Sequence, residues 1–137
     1  MDRIDWNTLI SKLVEYCNSM GVKVSFKRGC SDEYEPDDKT IQINTQRTKE
    51  NQVYILLHEI GHHLIFENSN LANKFGLLNN KDRKRNLSNQ ILELEEEVKA
   101  WHLGEDVAIK MNIILSTRFQ LLKAKCLKSY IRSLTKI

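Results

Sequence analysis

Through residues 5–20, Leu9, Ile10, Leu13, Val14 and Cys17 recur at helical spacing and predict an amphipathic first helix. Residues 18–21 close it, with Gly21 available for a left-handed cap. Val22, Val24 and Phe26 then alternate with Lys23, Ser25 and Lys27, the pattern of a half-buried strand. Residues 29–38 are polar and turn-like. Ile41 and Ile43 alternate with Gln42 and Asn44 and predict a second strand. One covered face in each strand points to an antiparallel sheet. Two strands alone are marginal, so the sheet is expected to pack on helices and has room for a further short strand. Thr48 is placed to cap a helix over residues 49–66. Residues 68–86 are polar with an apolar patch at 71–78, either a loop or a loop with one short helix. Ser88 or Asn89 can start a helix running to about Met111. A last helix over 116–134 carries Phe119, Leu122, Cys126, Tyr130 and Leu134 on one stripe. The pattern is α+β, mostly helical with a small antiparallel sheet.

The chain has 137 residues and one proline, with no linker-like run, which predicts one domain over residues 1–137. Hydrophobic residues make up 41% and charged residues 28%, the balance of a soluble globular protein. No stretch has the length of a membrane span, and the charged N-terminus lacks an apolar signal core, so a cytoplasmic protein is expected. Cys17, Cys30 and Cys126 are odd in number and form no CxxC pair, which favours reduced thiols over a disulfide framework. The net charge of +3 is a weak bias. Its basic residues gather at Lys81-Asp82-Arg83-Lys84-Arg85 and along the last helix. Without interleaved aromatics or a known motif they read as solvated faces, not as a nucleic-acid site.

The chemistry lies in Leu56-Leu57-His58-Glu59-Ile60-Gly61-His62-His63, which contains HExxH. Residues four apart share a helix face, so His58 and His62 can close on one ion. Two imidazoles suit zinc and leave room for a third ligand and a water. Glu59 lies beside the pair as a candidate catalytic base. Val53, Leu56, Leu57, Ile60 and Leu64 form one apolar stripe of this helix. The histidines project on the other side, with Ile55, Ile65 and Phe66. A helix apolar on both sides is buried between layers, where two histidines need polar partners. A metal supplies them; a structural histidine pair satisfied without metal is the alternative.

A third ligand is expected from the acidic run Glu93 to Glu97. If Ile91, Leu94, Val98, Trp101 and Ala108 define the buried stripe, Glu96 points away from it. Glu97 then lies at one edge, beside Trp101 and Ala108, and Glu95 at the other, beside His102. Glu97 is the first choice and Glu95 the alternative.

From about Ile41 to Ala108 the chain resembles the ImmA/IrrE family of metallopeptidases. The resemblance rests on Thr40-Ile41-Gln42-Ile43-Asn44, on His58-Glu59-Ile60-Gly61-His62-His63, and on the second acidic helix. In that helix Glu95-Glu96-Glu97-Val98 and Ala100-Trp101 stand where the family has Glu-x-Glu-Ala and Phe-Ala. The resemblance implies a zincin-like fold, zinc held by His58, His62 and Glu97, and Glu59 as base. The departures at Val98 and Trp101 indicate a divergent branch of the kind found in phages and mobile elements. Family members often cleave a helix-turn-helix repressor, which here would be a separate partner. The expected function is therefore zinc-dependent peptide-bond hydrolysis; a non-catalytic zinc-containing interaction domain is the alternative.

Other residues carry expectations too. Gly61, costly inside a helix, suggests the close approach of another backbone. His63 is expected as a surface group or as support behind the ligands, and His102 in the core or behind the ligands, with a hydrogen bond to a reaction intermediate as the alternative. Tyr34, in a polar loop, is expected as an ordinary exposed tyrosine, with contact to a substrate carbonyl as the alternative, and Trp6 and Trp101 as core.

Overall fold

The computed structural model describes residues 3–76 and 86–134. The basic run at 81–85 lies outside them. Helix α1 (Trp6–Ser19) starts at Asp5, whose carboxylate accepts from the Thr8 backbone N–H at 3.2 Å. It ends with the Gly21 N–H on the Asn18 carbonyl and the Val22 N–H on the Cys17 carbonyl, with Gly21 at φ +76°. That pair of bonds is a Schellman closure and needs a residue that tolerates the left-handed region.

Strands β1 (Lys23–Lys27), β2 (Glu33–Glu35) and β3 (Thr40–Asn44) form a sheet in the order β1-β3-β2. β1 and β3 run parallel, with Val24 opposite Ile41, and β2 runs antiparallel to β3, with Tyr34 opposite Ile41. The sheet is thus mixed, not antiparallel as the alternation suggested. The stretch read as turn-like contains the return strand β2, so the two longer strands point the same way and β3 inserts between its predecessors. Alternation reports a covered face and says nothing of the partner's direction. Ile41 and Ile43 face the core, whereas Phe26 at the edge is exposed.

Helix α2 (Lys49–Glu67) is the centre of the molecule. Thr48 caps it, its hydroxyl accepting from the Asn51 N–H at 3.2 Å. Residues 52–61 are all buried. One side of α2 packs on α1 and β3, the other on α4 (Leu87–Lys110). A short helix α3 (Ser69–Lys74) follows α2, and α5 (Thr117–Leu134) lies against α4. Phe119 joins the two sides, 5.4 Å from Tyr54 of α2 and 5.4 Å from Trp101 of α4 between ring centroids. Among the described residues no helix is long and apolar enough to cross a membrane.

Two glycines bring α2 and α4 to backbone contact. A Cβ on Gly61 would lie 2.0 Å from the Ala100 carbonyl oxygen, and one on Gly104 would lie 2.5 Å from that of Leu57. Both are far inside contact distance, so neither position admits a side chain without moving a helix. The close approach expected at Gly61 is present, and α4 supplies it.

Candidate metal centre

The close contact sets the acidic run of α4 against the histidines of α2. The His58 and His62 Nε2 atoms face each other at 3.2 Å. The Glu97 carboxylate spans them, with Oε2 2.8 Å from His58 Nε2 and Oε1 3.2 Å from His62 Nε2. Glu96 reaches the far side of His62, its Oε2 3.1 Å from Nδ1. Glu59 Oε2 is 3.4 Å from Nδ1 of His58. Trp101 stacks on the His58 ring, centroids 4.3 Å apart and planes 12° apart, which fixes that imidazole in rotation. From α5, the Tyr130 hydroxyl donates to Glu97 Oε1 at 2.9 Å.

The electrostatics follow from crowding carboxylates around buried rings. Burial works against a charged His58, yet its hydrogen bonds to the Glu59 and Glu97 carboxylates outweigh it and raise its pKa. Burial likewise opposes His62, but Glu96 and Glu97 carry its pKa up to about 10. Burial alone would raise Glu97, but its bonds to His58 and His62 hold it well below the usual carboxylate range. Burial and then Glu97 push the Tyr130 hydroxyl up, so it stays a donor. Two ring nitrogens and an ionised carboxylate converging in a buried place call for positive charge between them. Protons supply it in part; a divalent cation with nitrogen and oxygen preferences supplies it better, and zinc suits this donor set. His58, Glu59 and His62 also offer one ligand atom each within 4.8 Å of one another. Of the two glutamates, Glu97 is better placed for a shared ion, since its oxygens address both Nε2 atoms while Glu59 lies against the opposite nitrogen of His58.

These residues floor a cleft of about 370 Å³. Asp32, Glu33, Tyr34 and Pro36 form one wall and Phe66, Glu96 and Tyr130 contribute to the rest. Asp32 is pinned in place, accepting from the Asn44 N–H at 2.7 Å and from the Arg47 Nε at 2.6 Å. The β2 strand at this wall is an edge strand of the sheet.

The structure therefore brings His58, Glu59, His62 and Glu97 together. Several expectations do not hold. Glu96 does not point away; it bonds His62, because the face of α4 turned to α2 runs through Glu97, Ala100, Trp101 and Gly104, and Ile91 is exposed. Glu95 is exposed near Lys74 and does not approach the histidines. His102 is exposed beside α3, neither in the core nor behind the ligands. Tyr34 is not an exposed loop residue: it sits in β2 and shares a hydrogen bond of 2.7 Å with His63 Nδ1. His63 is buried, and that bond ties the cleft wall to α2. Trp101 is core as expected, while Trp6 is only partly buried, packed on Tyr54. Tyr130 and Glu96 are the site residues that periodicity missed. A hydroxyl within the apolar stripe of α5, and a second glutamate beside Glu97, were the only signals. No family model, curated protein or solved structure matches this chain.

Proposed function

We propose that this protein is a zinc-dependent endopeptidase whose metal is held by His58, His62 and Glu97. The observation that carries the reading is the convergence of both Nε2 atoms and the Glu97 carboxylate at the floor of an open cleft, with Glu59 alongside. The resemblance of the HExxH helix and its acidic partner helix to ImmA/IrrE metallopeptidases supports it. Zinc bound by these residues supplies Lewis acidity that brings a water's pKa towards neutrality. The chain's own groups do the rest. Glu96 on Nδ1 of His62 fixes that ring's tautomer and leaves Nε2 as the electron-pair donor. Trp101 holds the His58 plane. Glu59, which lines the cleft and is not needed as a ligand, accepts the attacking water's proton and delivers it to the leaving amine nitrogen. An open cleft bounded by an edge strand suits an extended segment of a protein substrate. The substrate we propose is a helix-turn-helix regulator, on the family resemblance.

The decisive experiment compares wild type with Glu59→Gln, both zinc-loaded. The variant is expected to keep the metal and the fold and to lose cleavage by a factor of roughly 10² to 10⁴. Proteomics of cells expressing each protein would identify fragments that appear with wild type only. Equal cleavage by both would refute the mechanism. Stoichiometric zinc without cleavage of any protein would leave a zinc-containing interaction domain.

A further inference from the structure

Helix α5 reaches the site from outside the HExxH helix and its acidic partner. Its first half is fixed by Phe119 and Leu122, both buried against the core. Tyr130 lies two turns beyond Leu122 on the same stripe, about 12 Å further along the axis. That rise delivers its hydroxyl to Glu97 Oε1 at 2.9 Å, while Oε2 of the same carboxylate is 2.8 Å from His58 Nε2. A phenol has one proton to donate, and this one goes to a ligand oxygen. A glutamate on a helix otherwise holds its carboxylate through three rotatable bonds. Here α4 fixes one end of the side chain and α5 the other.

We infer that Tyr130 is a positioning residue for the third metal ligand: its O–H holds the Glu97 carboxylate towards the His58 and His62 Nε2 atoms. This rests on the zinc reading of the site. It makes the C-terminal helix part of the metal centre, although α5 contributes no ligand. Hydrogen bonds behind a ligand typically matter by 10- to 100-fold in metal affinity or activity.

The test is a chelator competition that measures the zinc dissociation constant of full-length wild type, Tyr130→Phe, Glu97→Ala and the double variant. Circular dichroism checks the fold, and cobalt absorption spectra report the geometry. Tyr130→Phe is expected to weaken zinc by about tenfold or more and to alter the cobalt bands. In the Glu97→Ala background the same change is expected to add nothing, because the group that Tyr130 positions is gone. If zinc affinity and cobalt spectrum are unchanged in Tyr130→Phe while wild type binds zinc stoichiometrically, the positioning role is wrong and the zinc site stands. An equal loss in both backgrounds would also overturn it, since Tyr130 would then act through the fold at large. Should Tyr130→Phe prove unstable, that same comparison of backgrounds separates a general weakening from an effect through Glu97. Wild type that binds no zinc would refute the zinc reading and this inference together.

Discussion

Gly61→Ala probes the contact that sets α2 and α4, the helices carrying the proposed ligands, against each other. The new Cβ would lie 2.0 Å from the Ala100 oxygen, 2.7 Å from its carbonyl carbon and 2.9 Å from its Cα. Carbon and oxygen settle at about 3.3 Å or more, so the helices must part by roughly 1 Å. The obstacle is helix backbone, which cannot rotate aside as a side chain can. Alanine in place of glycine in a helix contributes about 1 kcal/mol of stability. Overpacking costs about 1–3 kcal/mol, and a backbone collision belongs at or above the top of that range. The net expectation is a loss of about 2 kcal/mol, hence a fall of roughly 6–10 °C in Tm for a chain of this size. The separation also pulls Glu97 from His58 and His62, and metal–ligand distances tolerate only about 0.2 Å. Thermal melts of the metal-free protein followed by circular dichroism, with zinc competition on the same samples, measure both effects. A variant as stable as wild type, with unchanged zinc affinity, would show that α4 yields freely and that the contact does not set the site.

Alanine scanning of the glutamates should rank zinc affinity losses as Glu97 greatest, Glu96 intermediate and Glu95 negligible. Equal losses at Glu95 and Glu97, read by chelator competition, would contradict the placement of Glu97 over both Nε2 atoms. His58→Ala should abolish stoichiometric zinc in native mass spectrometry; full occupancy would rule out His58 as a ligand. Burial pushes the Cys17 thiol up to about 12, so at pH 8 it holds almost no thiolate in the folded state, and the fraction rises only as pH approaches that value. Iodoacetamide at pH 8 should therefore modify the partly exposed Cys30 well before Cys17, as peptide mass spectrometry would report. Comparable rates in the native protein would mean that Cys17 is not sealed in the core.

Much of the fold was legible because burial and helical period agree along α1, α2 and α5. Thr48, the double-sided burial of α2 and the spacing of His58 and His62 lie within one continuous segment, and all appear as read. Failures came where polar groups are buried or partners are distant in sequence. In α4 a stripe of apolar residues alone misses the packed face, because the histidines of α2 hold the partly buried Glu96 and Glu97 against them while Ile91 is left at the surface. The three-residue strand β2 has too few positions to show alternation, and without it the direction of β3 relative to β1 cannot be inferred. Tyr130 counts as apolar in a periodicity argument, so its hydroxyl contact with Glu97 leaves no trace there.

The stack of Trp101 on His58 gives the protein an optical gauge of the proposed zinc site. An indole face senses a nearby cation strongly. Any positive charge that arrives on the facing imidazole, as a proton or through a bound ion, alters the field across the ring and so the colour and yield of its emission. Trp6, only partly buried, packs on Tyr54 and has no ring contact with His58. Replacing Trp6 with phenylalanine would leave a single tryptophan, facing His58, so that metal loading could be followed with selective indole excitation, without a label or a substrate.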